Sequence, residues 1–389
     1  MLKHLRGLYE ENLFESVIPF WMKHSLDRAC GGYFTFLDRE GAIYDSRKYV
    51  WLNGRQVWTL ARLYNEVAPR REWLDAARLG AEFLRDHAFD PEGRCYFSLT
   101  REGQPSFFQR KPYAAAFVAL GFAEYAKATG DATYHVRALE LFANVQAWVT
   151  DPTALGRPTM AGGVAYSQLA DIYVICSLAL ELQLPNALPW CLSQIGMHYE
   201  PSRQLLYENA AINPALQHTF PEGRLICAGS IFEISWFLFR AMDVHPNPKV
   251  EAMLLRSIEG AMDSCWDREH GGFFYFVDID ERPMLQLESD MKLWWVHVEA
   301  IYALLCAHER TREDKWLTWA EQVHEYTWKR FPDRAHGEWF GYLHRDGTPS
   351  NTLKGNNYKG CFHIPRALLF SAQLLERLAN RGAAAGLRR

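Results

Sequence analysis

A short pattern of glycines, aromatic residues and a closing turn returns along this chain at intervals of roughly 60 residues, the period of a repeat architecture. Clear copies begin near residues 31, 93, 271 and 337, a degenerate copy begins near residue 203, and none is found near residue 155. The alternation of aromatic and polar residues before a Gly or Asp predicts short hairpin strands. Because one such unit cannot bury its apolar face alone, the repeats favour one closed array over independent domains.

Long helices are predicted between the copies. In segment 73–84 the apolar residues fall three and four positions apart, as on one face of a helix. Segments 113–125 and 231–242 are apolar nearly all round and predict helices buried on every side, whereas 314–329 carries a charged face. The predicted helices span residues 4–23, 55–68, 72–88, 112–129, 132–149, 165–184, 186–199, 229–243, 248–264, 292–309, 313–330 and 363–380.

Two concentric rings accommodate this alternation of buried and half-exposed helices. Twelve helices in six hairpins, with short β-hairpins in the connecting loops, predict an all-α fold, an (α/α)6 barrel, as a single domain over residues 1–382, followed by a disordered tail over 383–389. The pocket of such a barrel lies at one end of its axis, where the N-terminal ends of inner helices meet the loops. Polar and aromatic residues at those ends are therefore the candidates for function.

The composition argues against several classes of protein. The net charge is −4 with both signs mixed, so the chain offers no basic surface for nucleic acid or for a membrane. It contains no run of 18 apolar residues that predicts a transmembrane helix, and its amphipathic N-terminal segment is unlike a signal peptide. The 8 cysteines are scattered without a C-x-x-C pair, which predicts buried free thiols in a cytoplasmic protein.

Two of the apolar helices contain a polar residue near their start. Arg55 enters its helix where burial is costly without a partner, so it either holds an oxygen of a ligand or pairs with a structural carboxylate. Ser230 and Glu233 have the spacing of a capping box at the start of another helix, the structural alternative to a functional carboxylate. Ser230 does not lie in a nucleophile elbow, since Phe232 stands where that motif needs glycine.

Paired tryptophans mark a third segment. Trp294 and Trp295 lie near Lys292 and Glu299, an arrangement that suits a platform on which a sugar ring stacks. The alternative is that they are core aromatics, with His297 as a core histidine whose hydrogen bonds are satisfied.

His363 begins the last predicted helix after a polar loop. The dipole at a helix N-terminus disfavours its cationic form, which predicts a neutral imidazole that can act as a base near pH 7. Lys359 and Arg366 nearby suggest that an anionic or enolic intermediate is stabilised there, although an ordinary capping histidine is the alternative. The chain has no P-loop, no G-x-G-x-x-G, no H-E-x-x-H and no clear metal cluster, so proton transfer without a cofactor or metal is the simplest chemistry left.

Together these segments resemble the N-acylglucosamine 2-epimerase family from about residue 5 to residue 380. The residues that carry the resemblance lie in segments 27–38, 55–58, 266–272, 292–299, 337–342 and 359–366. The resemblance implies an (α/α)6 barrel, commonly a homodimer, that acts on free sugars without a required cofactor. Family members epimerise N-acetylglucosamine and N-acetylmannosamine, cellobiose or mannose at C2, or interconvert aldoses and ketoses, and the N-acetyl-sugar enzymes are often stimulated by ATP as an effector.

The resemblance also implies a mechanism in which the sugar ring opens, a base removes the C2 proton, and a cis-enediolate is reprotonated from the other face. It assigns the base to His363, a sugar-oxygen contact to Arg55, and a site carboxylate to Glu233. Ser230 stands where the family has a second histidine, so one of two opposed bases is replaced. The sugar contacts implied by the resemblance are Trp294, Trp295, Lys292, Glu299, Trp339, Tyr358, Lys359 and Arg366, with Tyr358 where a tryptophan is common.

Three functions fit these residues. The leading interpretation is an epimerase acting at C2 of a free aldose, with N-acetylhexosamine ahead of an unmodified hexose; one-base chemistry suits aldose–ketose isomerisation instead. The second is a hydrolase that uses Glu233, Asp290 and Glu299, since glycoside hydrolysis needs two carboxyl groups across one bond. The third, favoured by Ser230, is a family member with redirected or lost catalysis that binds a sugar or a partner.

Overall fold

The computed structural model describes residues 2–157 and 162–386, and the described residues are mostly helical. All twelve predicted helical segments are found, the first as two α-helices joined by a π-helical segment, Asn12–Val17. The α-helices are α1 (Leu2–Glu11), α2 (Ile18–His24), α3 (Val50–Glu66), α4 (Arg71–His87), α5 (Tyr113–Thr129), α6 (Ala132–Thr150), α7 (Leu169–Glu181), α8 (Leu188–Gln194), α9 (Ala228–Met242), α10 (Pro248–Cys265), α11 (Trp294–Thr311), α12 (Asp314–Arg330) and α13 (His363–Gly386).

The helices form two concentric rings. Along the inner ring α3 packs on α5, α5 on α7, α7 on α9, α9 on α11 and α11 on α13. Each outer helix packs on an inner one, with α4 on α3, α6 on α5, α8 on α7, α10 on α9, α12 on α11 and α1 on α13. The ring closes where Thr59 Oγ1 of α3 donates to the carbonyl of Cys361, just before α13. The predicted (α/α)6 barrel is confirmed.

Burial follows the predicted alternation. In α9 every residue except Arg240 is buried, and α5 is buried from Ala114 to Ala126, because both are inner helices with neighbours on every side. α3 and α5 approach closely at two glycines. A Cβ on Gly121 would lie 2.6 Å from the carbonyl oxygen of Gly54, so this crossing leaves no room for a side chain.

Short strands connect the helices. They are β1 (Phe36–Leu37), β2 (Ile43–Asp45), β3 (Lys48–Tyr49), β4 (Ser98–Leu99), β5 (Pro105–Phe107), β6 (Tyr166–Gln168), β7 (Tyr199–Glu200), β8 (Leu205–Leu206), β9 (Asn209–Ala211), β10 (Leu225–Ile226), β11 (Val277–Asp278), β12 (Lys292–Leu293) and β13 (Tyr342–Leu343). Pairs β1–β2, β4–β5 and β7–β8 are the predicted antiparallel hairpins. The hairpin predicted at 271 is wrong in its partner, because β11 pairs with β10. At the copy near 337, β13 pairs with β12, and Leu343 also forms an antiparallel bridge with Pro349 across the predicted turn.

Three aspartates near the repeat glycines are each bound by a buried lysine and an arginine, an arrangement here called a lysine clamp. Asp27 accepts hydrogen bonds from Lys48 Nζ at 3.0 Å and from Arg101 Nε at 2.9 Å. Because the carboxylate balances the charge of the lysine and the arginine is partly exposed to solvent, the lysine can be fully buried as a charge. The other clamps in the described residues join Asp267 to Lys292 and Arg345, and Asp333 to Lys354 and Arg39.

The C-terminal part of α13 differs from expectation. The predicted tail over 383–389 begins inside this helix, which continues to Gly386, and alanine, the best helix former, fills 383–385. Residues 387–389 lie outside the described residues.

Of the helices in the described part of the chain, none has the length and apolar character to cross a bilayer. All eight cysteines are free thiols and seven of them are buried, as predicted.

Candidate active site

A cavity of about 660 Å³ opens at one end of the barrel axis, where the inner helices begin. Its wall combines aromatic side chains with a few polar groups, the usual make-up of a small-molecule site. The residues that line it are Trp51, Arg55, Tyr173, Glu208, Cys227, Ser230, Glu233, Tyr275, Phe276, Gln286, Glu288, Leu293, Trp294, Trp295, Tyr342, Tyr358 and His363. Of the predicted site residues, seven are among them.

Side chains from three inner helices meet in one hydrogen-bonded network at the floor of this cavity. His363 Nδ1 of α13 lies 2.8 Å from Glu299 Oε1 of α11. Arg366, one turn further along α13, donates from Nη2 to the same Glu299 oxygen at 2.6 Å and also to Glu233 Oε1 of α9. Two carboxylates therefore hold one guanidinium, and that network fixes the orientation of the His363 ring.

The protonation state of His363 follows from this network. A carboxylate oxygen can only accept, so the proton lies on Nδ1 and Nε2 is left with its lone pair for the cavity. Burial holds the pKa of His363 well below its usual value, the nearby charge of Glu233 raises it, and those of Arg55 and Arg366 lower it. The imidazole is therefore neutral and unprotonated on Nε2 at neutral pH, as the sequence predicted for a base.

Arg55 is a buried cation held by aromatic rings. Its guanidinium carbon lies 3.9 Å from the centroid of Phe117, 4.5 Å from that of Trp51 and 4.8 Å from that of Phe362. Arg55 forms no ion pair with a carboxylate of the described residues, and its Nε has no hydrogen-bond partner among them. Burial lowers its pKa to about 10, so it remains charged. The structural alternative of an Arg–carboxylate pair is wrong, and the free donors face the cavity.

Aromatic side chains form the walls above the network. Trp295 packs beside His363 with ring centroids 5.6 Å apart, so the predicted platform lies next to the base. Trp51 and Tyr358 meet edge to face at 6.0 Å, and Tyr358 is 58% exposed at the rim. Trp294 also lines the cavity. Flat apolar faces of this kind suit the C–H faces of a sugar.

Ser230 lies in the first turn of α9 and is buried in the cavity wall. The predicted capping box is wrong, because α9 begins at Ala228 with Cys227 before it, and the Glu233 carboxylate binds Arg366 instead. Facing Ser230 is Glu208, which sequence reasoning missed. It stands between the apolar strands β8 and β9, and a single carboxylate between two buried strands is the signal that could have revealed it.

Five predicted site residues do not line the cavity. Glu299 and Arg366 lie beneath it and act on it through His363 and Glu233. The other three are structural, so their assignment as sugar contacts is corrected. Lys292 belongs to a lysine clamp, Lys359 is fully buried against Glu338 and the carbonyl of Lys354, and Trp339 is buried with its Nε1 on Asn12.

His297 is a core residue, the structural alternative. Its Nδ1 lies 2.7 Å from the carbonyl of Leu293, and its Nε2 accepts from the backbone N–H of Phe273 at 3.0 Å. Burial lowers its pKa to about 3. Both nitrogens are thus used in packing, and no lone pair is left for chemistry.

The same network bears on metal binding and on hydrolysis. In the described residues, ligand atoms of Glu233, Glu299 and His363 lie within 4.8 Å of one another, but the Arg366 guanidinium bridges both carboxylates and supplies the cation. The group therefore does not fit a metal ion.

The hydrolase alternative is not supported by these carboxylates. Glycoside hydrolysis needs two free carboxyl groups on either side of the scissile bond, whereas Glu233 and Glu299 are both bound to one nitrogen of Arg366. Asp290 does not line the cavity.

Known proteins resemble this chain both in sequence and in fold. The sequence model of the family described as N-acylglucosamine 2-epimerase (GlcNAc 2-epimerase) matches residues 32–159 and 202–367. N-acylglucosamine 2-epimerase of Bos taurus is 39% identical over 382 residues, which cover 94% of this chain and 90% of the relative.

Solved structures of low sequence identity share the fold. Cellobiose 2-epimerase from Bacillus thermoamylovorans B4167 superposes with a TM-score of 0.82 at 20% identity, covering 96% of this chain and 100% of that one. A D-mannose isomerase gives a TM-score of 0.80 at 16% identity, covering 95% of this chain and 98% of that one.

Proposed function

The chain belongs to the N-acylglucosamine 2-epimerase family and is a sugar epimerase of the carbohydrate isomerase class, and we propose that it interconverts N-acetylglucosamine and N-acetylmannosamine. The observation that carries this proposal is the His363 base, held neutral by burial and oriented by Glu299 at 2.8 Å, at the floor of a sugar-sized aromatic cavity. The N-acetyl substrates are favoured because the relatives at 37–39% identity carry that name.

The geometry divides the work among a few groups. His363 Nε2 removes the C2 proton of the open-chain sugar, and the electron pair moves toward the C1 carbonyl to give an enolate that bears the acetamido group on C2. Arg55, which has no carboxylate partner among the described residues, is available to stabilise the oxygen on which negative charge develops. A fixed hydrogen-bond donor stabilises such a charge most strongly in a site from which water is excluded. Trp295 lies beside His363 as the stacking surface. Reprotonation of C2 on the other face completes inversion.

Proton NMR in D₂O tests this function. With wild-type protein and N-acetylmannosamine, we expect the H2 signal to decline while resonances of N-acetylglucosamine appear, and the reverse reaction to reach the same equilibrium mixture. Mannose and glucose serve as comparison substrates. Exchange with the unmodified hexoses alone would contradict the N-acetyl assignment.

Aldose–ketose isomerisation is the second candidate, and Ser230 is the observation that favours it. A single base on one face can move the proton from C2 to C1, so it does not need a second group at the Ser230 position. The mannose and glucose samples of the same NMR experiment separate the two reactions, since isomerisation of a hexose yields a ketose with no H2 and epimerisation yields the C2 epimer.

Arg55→Met tests the role of the unpaired guanidinium. Methionine keeps the apolar stem but removes the donors, so kcat should fall by about 10²–10³-fold, the typical effect of losing one charge-stabilising donor. The thermal unfolding midpoint should not fall, because an unpaired buried cation is removed. Steady-state kinetics and a thermal melt measure both. Equal kcat in the two proteins would show that another group stabilises the enolate.

The remaining features of this function are proposals. The reaction requires no cofactor, because base, cation and stacking surface all come from the chain. A homodimer and a cytoplasmic location stay predictions, as does ATP as an effector. Sedimentation of the purified protein tests the dimer, and a thermal melt with and without ATP tests nucleotide binding.

A further inference from the structure

Inversion at C2 needs two proton-transfer groups, one on each face of the planar enolate, and His363 supplies only one. This inference rests on the proposed epimerase function. The second group must line the same cavity and must gain and lose a proton near neutral pH.

Most titratable groups of the cavity fail one of these conditions. Glu233 is bound to Arg366, and Glu288 is exposed. Burial raises the pKa of the Cys227 thiol and of the Tyr173 and Tyr275 hydroxyls far above neutrality, so these groups stay protonated and are poor bases. One carboxyl remains among the lining residues.

Glu208 meets each condition. Its backbone is fixed on both sides, since its N–H donates to the carbonyl of Leu225 at 3.0 Å and its carbonyl accepts from the N–H of Leu169 at 2.9 Å. Its Oε2 is buried and has no hydrogen-bond partner among the described residues. Burying a carboxylate oxygen without a hydrogen-bond partner costs free energy, and such unpartnered buried atoms are typical of ligand-binding sites.

The surroundings of Glu208 tune its proton affinity. Burial raises its pKa to about 7, the Ser230 hydroxyl nearby lowers it in part, and the charge of Glu233 adds to the rise. A carboxyl in this state is present in both forms at neutral pH. The titratable groups that face it are Glu233 and Cys227 near the start of α9, Tyr173 on α7, Tyr113 on α5 and Tyr275 before β11.

We propose that Glu208 is the second acid–base catalyst, which protonates and deprotonates C2 on the face opposite His363, with the Ser230 hydroxyl as its polar neighbour. Serine suits this position because its short side chain leaves space in front of the carboxyl group. α9 then contributes Ser230, which positions Glu208, and α9 itself does not supply a base.

The proton and electron count closes without another reactant. His363 Nε2 takes the C2 proton, the C2–H electron pair forms the C1–C2 double bond, and the carbonyl electrons move to O1. The O–H bond of the Glu208 carboxyl then breaks, its proton joins the opposite face of C2, and the C1 carbonyl re-forms. The turnover leaves an imidazolium and a carboxylate, and one proton passed through water resets the pair. In the reverse direction the two residues exchange roles.

This pair predicts the pH profile. Activity needs one proton shared between His363 and Glu208, so kcat/KM falls on the acid side when both are protonated and on the alkaline side when neither is. The acid limb lies well below pH 6.5, and the alkaline limb lies near pH 7, where Glu208 loses its proton. Because the equilibrium constant is independent of pH, both directions share this profile.

Glu208→Gln tests the inference by isotope exchange in D₂O with N-acetylmannosamine and N-acetylglucosamine run separately. We expect epimerisation to fall by about 10²–10⁴-fold. One epimer, the one whose C2 proton faces His363, should still exchange H2 without inverting, and the other should not. The alkaline limb near pH 7 should disappear from the exchange rate. Glu222→Gln, an exposed carboxyl of the same segment, is the matched control and should behave as wild type.

A second variant keeps the inference testable if glutamine prevents folding. Ser230→Ala removes the group that lowers the pKa of Glu208, so the alkaline limb should move to higher pH. An unmoved limb in Ser230→Ala, or wild-type epimerisation by a folded Glu208→Gln protein, overturns the assignment. Wild-type protein that forms a ketose or leaves both epimers unchanged contradicts the proposed function instead.

Discussion

Replacing His363 with asparagine is expected to lower kcat for epimerisation by about 10⁴-fold, the upper range for loss of a positioned acid–base group. The asparagine amide can still donate to Glu299 as Nδ1 does, so the ion pairs of Arg366 with Glu233 and Glu299 stay satisfied. What is lost is the basic Nε2 atom. The effect should therefore appear in kcat, with little change in KM or in the thermal unfolding midpoint.

His344→Asn is the control for this variant, since His344 is an exposed histidine outside the cavity. Initial rates in both directions and a thermal melt are the measurements. A folded His363→Asn protein with a kcat near that of wild type would remove His363 from the mechanism. A protein whose melting point collapses would show that the ring is needed mainly for packing.

The second large effect concerns stability. Lys292→Met should lower the free energy of unfolding by about 3–5 kcal/mol, because it leaves Asp267 buried with one of its two cationic partners gone. Methionine fills most of the space of the lysine stem, so packing changes little. Urea denaturation followed by circular dichroism measures the difference.

Two further variants identify the cause. Removing both charges in the double variant Lys292→Met, Asp267→Asn should recover part of the loss, since no buried charge is left without a partner and Arg345, which is partly exposed, keeps its pair with Glu269. Lys315→Met, which breaks exposed pairs with Glu259 and Glu313, should change stability by less than about 1 kcal/mol. A loss at Lys292 no greater than that at Lys315 would show that the lysine clamp contributes little.

The sequence predicted the helices well because apolar periodicity is a local signal. Segments 113–125 and 231–242 lie in inner helices, as their apolar character on all sides indicated. Strand partners were harder, since β10 and β11 are joined only in three dimensions, and alternation along one strand does not say where its partner is.

Two of the predicted site residues were singled out by local signals and line the cavity, Arg55 by the cost of burying a cation and His363 by its place at a helix start after a polar loop. Lys292 was singled out because it lies near the paired tryptophans. Its partner, Asp267, lies in another turn of the chain, so a structural lysine looked like a ligand contact. Glu208 was missed because it falls within the degenerate repeat, where the alternation of apolar and polar residues already accounts for a polar side chain.

The lysine clamps are unevenly spread around the barrel. Their aspartates, Asp27, Asp267 and Asp333, lie beside the copies of the repeat near residues 31, 271 and 337, which are neighbours once the ring closes, while α5 to α8 have no clamp in the described residues. The clamps thus tie the loops together on one side of the axis, whereas α5 and α7 are held to α3 by the ion pairs of Glu124 and Glu181 with Arg62 and Lys127. Sub-global opening should start at the loops without clamps, so amide hydrogens at the N-terminal ends of α5 and α7 should exchange with solvent before those of α11 and α13.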